Sequence, residues 1–286
     1  MTTSILDAHV HLWDADRHPL SWWRPALGLP RRAALGELRH VTVAAPAPIA
    51  GAIAVQAADT VQEAEWLTSS AALGSFIRAV VLQYDARADA AAWAGMAQSV
   101  IDRIDAGDLR ARVAGIRLAT PAGALDLADV PRLDDLAAGL SASNRVLELL
   151  LRAEQLPAAA ALAARHPGLR IVLCHLGIGG DDPGDDWRSA LAAFAEQPAT
   201  AAKVSGLVRS GPAETERLRA AVGHAVDVFG AGRVMFGSDW PVSARFAGYR
   251  EIVERTDAAL PRLTDAERRE FWADTAARVY ELPSRG

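Results

Sequence analysis

Short apolar runs alternate along this chain with longer, Ala-rich segments edged by charge, and the two patterns have different periods. The short runs are strand-like in length and apolar character, as expected for a buried parallel sheet. Eight of them stand out: Ile5 to His11, Ala52 to Ala57, Phe76 to Tyr84, Val113 to Leu118, Arg145 to Leu150, Leu169 to His175, Thr200 to Gly206 and Arg233 to Ser238. The segments between them carry a helical pattern. They predict helices over Leu35 to Val43, Val61 to Leu73, Ala88 to Ile104, Arg132 to Leu140, Leu156 to Arg165, Trp187 to Glu196 and Glu214 to Phe229. Two more follow the eighth strand, Tyr249 to Ala259 and Thr264 to Tyr280, the second opened by Thr264 and Glu267 in capping-box positions. Such regular alternation predicts an α/β fold with a parallel sheet, and eight strand-helix units predict a TIM-like (β/α)8 barrel. An open doubly wound sheet would need fewer strands and usually a Gly-rich turn after the first, where this chain has histidines.

Composition narrows the class. The 286 residues are 51% hydrophobic and 23% charged, enough apolar surface for one large core. No Gly/Ser linker or repeat divides them, so a single domain over residues 1–286 is expected. A net charge of −5 with mixed signs offers no basic stripe, which argues against a nucleic-acid partner. No apolar run is long enough to span a bilayer and the N-terminus lacks a signal-peptide pattern, so no membrane partner and a cytoplasmic location are expected. The lone Cys174 excludes an intrachain disulfide and a Cys-based zinc site.

The chemistry gathers at the carboxyl ends of the strands, where barrel enzymes build their sites. Strand one offers Asp7, His9 and His11, which strict alternation would place on one face, with Ala8 and Val10 on the other. Later strands offer Gln56, Gln83 and Asp85, Arg117, Glu148, His175, Lys203 with Ser205, and Asp239. Buried charges without partners are costly, so a convergent set of this kind usually serves a ligand or a reaction. Each also has a structural reading: His175 or Asp239 could cap turns, and Lys203 could simply pair with Glu148. Together, His9, His11, His175 and Asp239 supply N and O ligands suited to one divalent metal, zinc, with a position left for water. By alternation Cys174 should face the helices as a small hydrophobe. His166 and His224 lie away from strand ends and are expected to be structural. Two irregular stretches, Leu12 to Arg32 and Gly177 to Asp186, follow strands one and six; Trp22, Trp23 and Trp240 are candidate pocket walls.

The runs DAHVHLWD (Asp7 to Asp14), VQA (Val55 to Ala57) with Glu63 following, GIRL (Gly115 to Leu118), CHLG (Cys174 to Gly177), KVSGL (Lys203 to Leu207) and RVMFGSDWPV (Arg233 to Val242) together resemble the amidohydrolase superfamily. More narrowly they resemble its amidohydrolase-2 branch of lactonases, such as those acting on fuconolactone, rhamnonolactone and pyrone dicarboxylate. The resemblance spans nearly the whole chain and implies a distorted TIM barrel that hydrolyses a lactone ring. His9, His11, His175 and Asp239 match its active-site positions. Members differ in their need for a metal, so metal-independent catalysis stays open beside a zinc site. Strand five carries Glu148 where metal-dependent relatives often have a histidine, and Lys203 lies too late in the barrel to match the carboxylated lysine of binuclear relatives. Cys174, Gln83 and Thr275 stand where many relatives have Asp, Trp and Asn.

These readings make Asp239 the general base on a water that attacks the carbonyl of a small-molecule lactone, with an aldono-1,4-lactone first in line. The three histidines would polarise that carbonyl directly or through the metal. Arg117, Lys203 and Gln56 would hold the substrate between Trp23 and Trp240. A decarboxylase of the same superfamily and a non-catalytic barrel that binds a sugar acid are the alternatives. A homo-oligomer is compatible with the sequence, which does not fix the oligomeric state.

Overall fold

Each apolar run lies against the next as a parallel strand. The computed structural model describes residues 4–58, 60–71, 75–84, 102, 112–178, 184–211 and 213–283. Its strands are β1 (Ile5–Val10), β2 (Ile49–Val55), β3 (Ile77–Gln83), β4 (Val113–Ala119), β5 (Val146–Leu150), β6 (Ile171–Leu173), β7 (Thr200–Val204) and β8 (Val234–Phe236). They pair in chain order in one eight-stranded sheet. All eight strands expected from the sequence form, with ends shifted by up to a few residues: most are shorter, while β2 begins earlier and β4 ends one residue later.

The sheet curls until β8 approaches β1, but no full ladder joins these two. The seam is closed instead by an isolated parallel bridge between Val10 and Trp240. Around it the Asp239 N–H donates to the His9 carbonyl at 2.8 Å and the His11 N–H to the Trp240 carbonyl at 2.7 Å. The barrel is therefore distorted where the histidine strand meets the Asp239 loop. A short antiparallel pair, Trp13–Asp14 with Arg32–Ala33, ties down the loop after β1.

Helices surround the barrel: α1 (Leu35–Thr42), α2 (Val61–Ala71), α3 (Leu133–Ala142), α4 (Leu156–Arg165), α5 (Asp185–Ala195), α6 (Glu214–Phe229) and α7 (Tyr249–Ala259). The helix expected over Ala88 to Ile104 lies almost wholly outside the described residues, as does Asp85. The last expected helix is interrupted. It begins as α8 (Asp265–Arg269), widens into a π turn (Glu270–Asp274) and resumes as α9 (Thr275–Val279). The wider turn lets the neighbours Phe271 and Trp272 both enter the core, where Trp272 meets Phe236 of β8 at 4.9 Å between ring centres. Its capping box forms as read, with Thr264 Oγ1 and the Glu267 carboxylate each accepting the other's backbone N–H. Among the described residues no helix is long and apolar enough to cross a membrane.

Two apolar clusters hold the layers together. The larger lies between sheet and helices. The smaller takes residues from every strand, among them Leu6, Ala8, Val55, Val81, Val172 and Met235, and fills the barrel interior, where Ala276 and Tyr280 stop its amino-terminal mouth. Arginines fasten the segment that carries Tyr280: Arg112 donates to the Tyr280 carbonyl, Arg78 to that of Pro283, and Arg170 pairs with Glu281.

Candidate active site

The site starts from a break in β1. Between Asp7 and Val10 the register against β2 shifts, so strict alternation fails there. Ala8 lines the barrel interior and Val10 the outer core, while Asp7 takes up polar partners of its own. Asp7 accepts from the N–H groups of His9 (3.1 Å) and Ser238 (2.9 Å) and from the Tyr249 hydroxyl of α7 (2.9 Å). This corrects the expectation that Asp7 joins the histidines on one face and that Ala8 and Val10 share the other. Burial pushes the Asp7 carboxyl up to about 6 against those donors.

His9 and His11 do meet, with their Nε2 atoms 3.2 Å apart, and His11 Nδ1 lies 2.7 Å from the Val55 carbonyl. The His175 ring stands 4.8 Å from that of His9, with Nδ1 2.9 Å from the Ser205 carbonyl and 2.8 Å from its hydroxyl. Asp239 Oδ1 lies 3.7 Å from His9 Nε2 and 3.6 Å from His11 Nε2, and Oδ2 accepts from the Ser243 hydroxyl at 3.1 Å. The four residues named for chemistry thus converge at the seam. Two of them sit on left-handed backbone, His175 at φ 54 and Asp239 at φ 56, conformations that non-glycine residues adopt at a cost and that cluster at functional sites. Gly206 makes room for both. A Cβ there would lie 2.8 Å from His175 Nδ1 and 3.1 Å from Asp239 Oδ2.

Charge states follow from these contacts. Burial alone would raise Asp239, but His175, the nearby His11 and the Ser243 hydroxyl bring it below the usual carboxylate range. It is ionised at neutral pH. Burial holds His175 below the ordinary imidazole value despite the pull of Asp239, and burial with the Lys203 charge lowers His9 further. The centre therefore pairs the Asp239 carboxylate with neutral imidazoles at His9 and His175.

One donor atom each from His9, His175 and Asp239 lie within 4.8 Å of one another, so by distance the group could hold a divalent cation. Two imidazoles also have the orientation of ligands. His11 and His175 each direct Nδ1 at a backbone carbonyl, which places the proton there and leaves Nε2 with its lone pair. His9 differs, because its Nδ1 faces the Lys203 ammonium at 3.3 Å.

The expected substrate holders are placed less uniformly. Arg117 is buried beside the site, donating to Gln83 Oε1 at 3.1 Å and to the Gln56 carbonyl at 2.8 Å. The Gln56 amide is itself spent on Thr60 and on the Gln83 N–H. Lys203 departs from expectation: it is wholly buried below His9 and pairs with Glu148 at 2.7 Å, so it cannot reach a ligand in the mouth. Trp240 packs into the outer core, and Trp23 is half-buried under Arg31, its Nε1–H without an acceptor among the described residues. Trp22 donates to the Ala57 carbonyl at 2.8 Å and meets Trp13 edge-on, a wall one residue past Gln56. Cys174 is also corrected. The strand ends at Leu173 and the chain turns through left-handed His175, so Cys174 faces inward, its Sγ 3.3 Å from Glu148. Burial pushes its thiol above the ordinary range, which suits no nucleophile.

Three contributors were not singled out as chemistry in the sequence. Ser243, four residues past Asp239, orients its carboxylate. Arg209, half-buried on the loop after β7, stacks on Phe246 at 4.7 Å and is close enough to Asp239 to feel its charge. Glu63, at the start of α2, accepts the Ala58 N–H at 2.8 Å and so fixes the turn after Gln56; burial pushes its carboxyl up to about 7.

The chain matches the amidohydrolase family over residues 6–282. It is 32% identical to an L-fucono-1,5-lactonase of Burkholderia multivorans, across 97% of this chain and 96% of that one. It is 30% identical to an L-fucono-1,5-lactonase of Burkholderia ambifaria, across 86% and 83%. An amidohydrolase from Burkholderia multivorans solved with bound zinc superposes with a TM-score of 0.82 at 31% identity, covering 98% of this chain and all of that one.

Proposed function

The chain belongs to the amidohydrolase family, and from that premise we propose that it hydrolyses a lactone, most naturally the lactone of a sugar acid. The observation that carries this reading is Asp239, an ionised carboxylate in the midst of three imidazoles. A carboxylate so placed can take a proton from water as the oxygen attacks the lactone carbonyl carbon. The carbonyl oxygen gains negative charge, which an imidazole N–H can stabilise. The ring C–O bond then breaks, and the proton held by Asp239 passes to the departing ring oxygen. Water is consumed and a hydroxy acid is the product.

His175 and Asp239, with a third donor from His9 or His11, would hold a divalent ion such as zinc, whose chemistry when bound would be to polarise the carbonyl and lower the pKa of water. Arg117, fixed by Gln83 and Gln56, and Arg209, stacked on Phe246, bring positive charge and N–H donors from two different strand ends, suited to hydroxyl or carboxylate oxygens. The names of the two lactonase relatives favour a six-carbon deoxysugar lactone, with 1,5-rings to be tried beside 1,4-rings.

Acid release from a panel of aldono-1,4- and aldono-1,5-lactones, followed with an indicator in weak buffer, tests the proposal. Rapid release on one sugar series, lost by at least about a thousandfold in Asp239→Asn with the melting temperature kept, is the expected result. Silence on the panel together with carbon dioxide release from aromatic acids would replace it with a decarboxylase.

A further inference from the structure

Below His9 lies a set of polar groups shut off from water. Lys203 and Glu148 are both fully buried, with Nζ 2.7 Å from Oε1. The Tyr280 hydroxyl donates to that same oxygen at 2.5 Å, and Cys174 Sγ stands 3.3 Å from the other. Burial pushes the Glu148 carboxyl up, but Lys203 and Tyr280 hold it below its usual range, so it is a carboxylate facing an ammonium. An ammonium has three hydrogens to give and no lone pair. Lys203 Nζ also lies 3.3 Å from His9 Nδ1, so that nitrogen is an acceptor.

A neutral imidazole that accepts at Nδ1 carries its proton at Nε2. The other end of the chain of contacts leads to the same assignment independently. The Val55 carbonyl can only accept, so His11, 2.7 Å away through Nδ1, bears its proton there and leaves Nε2 as an acceptor. His9 Nε2, 3.2 Å from that acceptor, must then be the donor. The direction is consistent throughout: Lys203 to His9, His9 to His11, His11 to Val55.

We infer that Lys203, anchored by Glu148 and Tyr280, is a positioning residue that fixes His9 as the Nε2–H tautomer, making His9 a hydrogen-bond donor in the site and not a metal ligand. A metal at His9 Nε2 would need the proton on Nδ1, pointing at an ammonium. On this inference His9, although one of its ring nitrogens lies within 4.8 Å of donor atoms of His175 and Asp239, turns a hydrogen and not a lone pair into the site, whereas the Nε2 atoms of His11 and His175 keep their lone pairs. That the donated hydrogen serves the carbonyl oxygen rests on the lactone-opening proposal; the tautomer does not.

The test is nitrogen-15 NMR of the intact protein with labelled histidine at neutral pH, the His9 signals assigned by their loss in His9→Gln. Nε2 in the protonated range and Nδ1 in the unprotonated range is the expected result, and the reverse overturns the inference. In the double variant Lys203→Met/Glu148→Gln, which removes both charges together, the His9 tautomers should mix. Zinc affinity, measured by competition with a coloured chelator, should then rise by about tenfold, and an unchanged tautomer and affinity would show that Lys203 is not the cause. If a lactone is turned over, kcat of the double variant should fall on the order of a hundredfold with little change in KM. If no lactone is turned over, the wild-type spectrum still decides the tautomer, even where the double variant does not fold.

Discussion

Glu63 is a carboxylic acid sealed at the start of α2, one oxygen held by Ala58 and the other without a hydrogen-bond partner among the described residues. Folding raises its pKa from 4.5 to about 7, so the folded chain holds that proton more tightly than the unfolded one. Stability from this group is full below 4.5 and is lost as pH rises through 7, a loss of up to roughly 3 kcal/mol. Glu63→Gln keeps the acceptor for Ala58 and has no charge to bury. Its melting temperature should exceed that of the wild type by on the order of 5 °C near pH 8.5 and equal it near pH 5. A lower value at both would mean that the carboxylate itself is needed. At this scale the sequence showed residue types well and orientations poorly. His9, His11, His175 and Asp239 converge as read, because strand ends in a barrel all open on one mouth. Asp7, Ala8 and Cys174 were misplaced because alternation assumes an unbroken strand, and β1 shifts register while β6 ends before Cys174. The fate of Lys203 was visible only as one of two options, since pairing with Glu148 depends on a distance across the barrel.

At the scale of elements, periodicity located the eight strands and most helices, and the Thr264 capping box located the start of α8. It could not locate the π turn, which answers to the packing of Phe271 and Trp272 on Phe236, nor the seam where two backbone hydrogen bonds replace a ladder. The turn that follows β7 carries the sharpest local requirement. Gly206, at φ 62, needs a left-handed backbone, and the space its missing Cβ would take is used by His175 and Asp239. Gly206→Ala should lower stability by about 1 kcal/mol from the backbone alone, yet cut turnover at least a hundredfold by displacing the imidazole. Thermal melts alongside kinetics will separate the two effects. A variant with wild-type turnover would show that the two side chains can shift without loss.

For the whole molecule, the barrel is closed by groups far apart in the chain. Tyr280 fills its amino-terminal mouth, touches Glu148 from below and is held in place by Arg112. Tyr280→Ala should cost about 3–5 kcal/mol by opening a cavity there, and Tyr280→Phe, which loses only the hydroxyl, about 1 kcal/mol. Urea unfolding of the two variants measures the difference; equal losses would mean that the hydroxyl, not the ring, holds this end.

That contact also sets an order of events during synthesis. A ribosome that has passed Ser243 has made the four convergent residues and the serine that orients Asp239, but not the segment that delivers Tyr280. Until that segment emerges, Glu148 and Lys203 stand open to water through the unfilled mouth, and His9 lacks a settled neighbour. A chain cut short between Ser243 and Tyr280 is then an unfinished protein that holds the four convergent residues without the side chain that closes the barrel beneath them, so hydrolysis is expected only from chains translated past Tyr280.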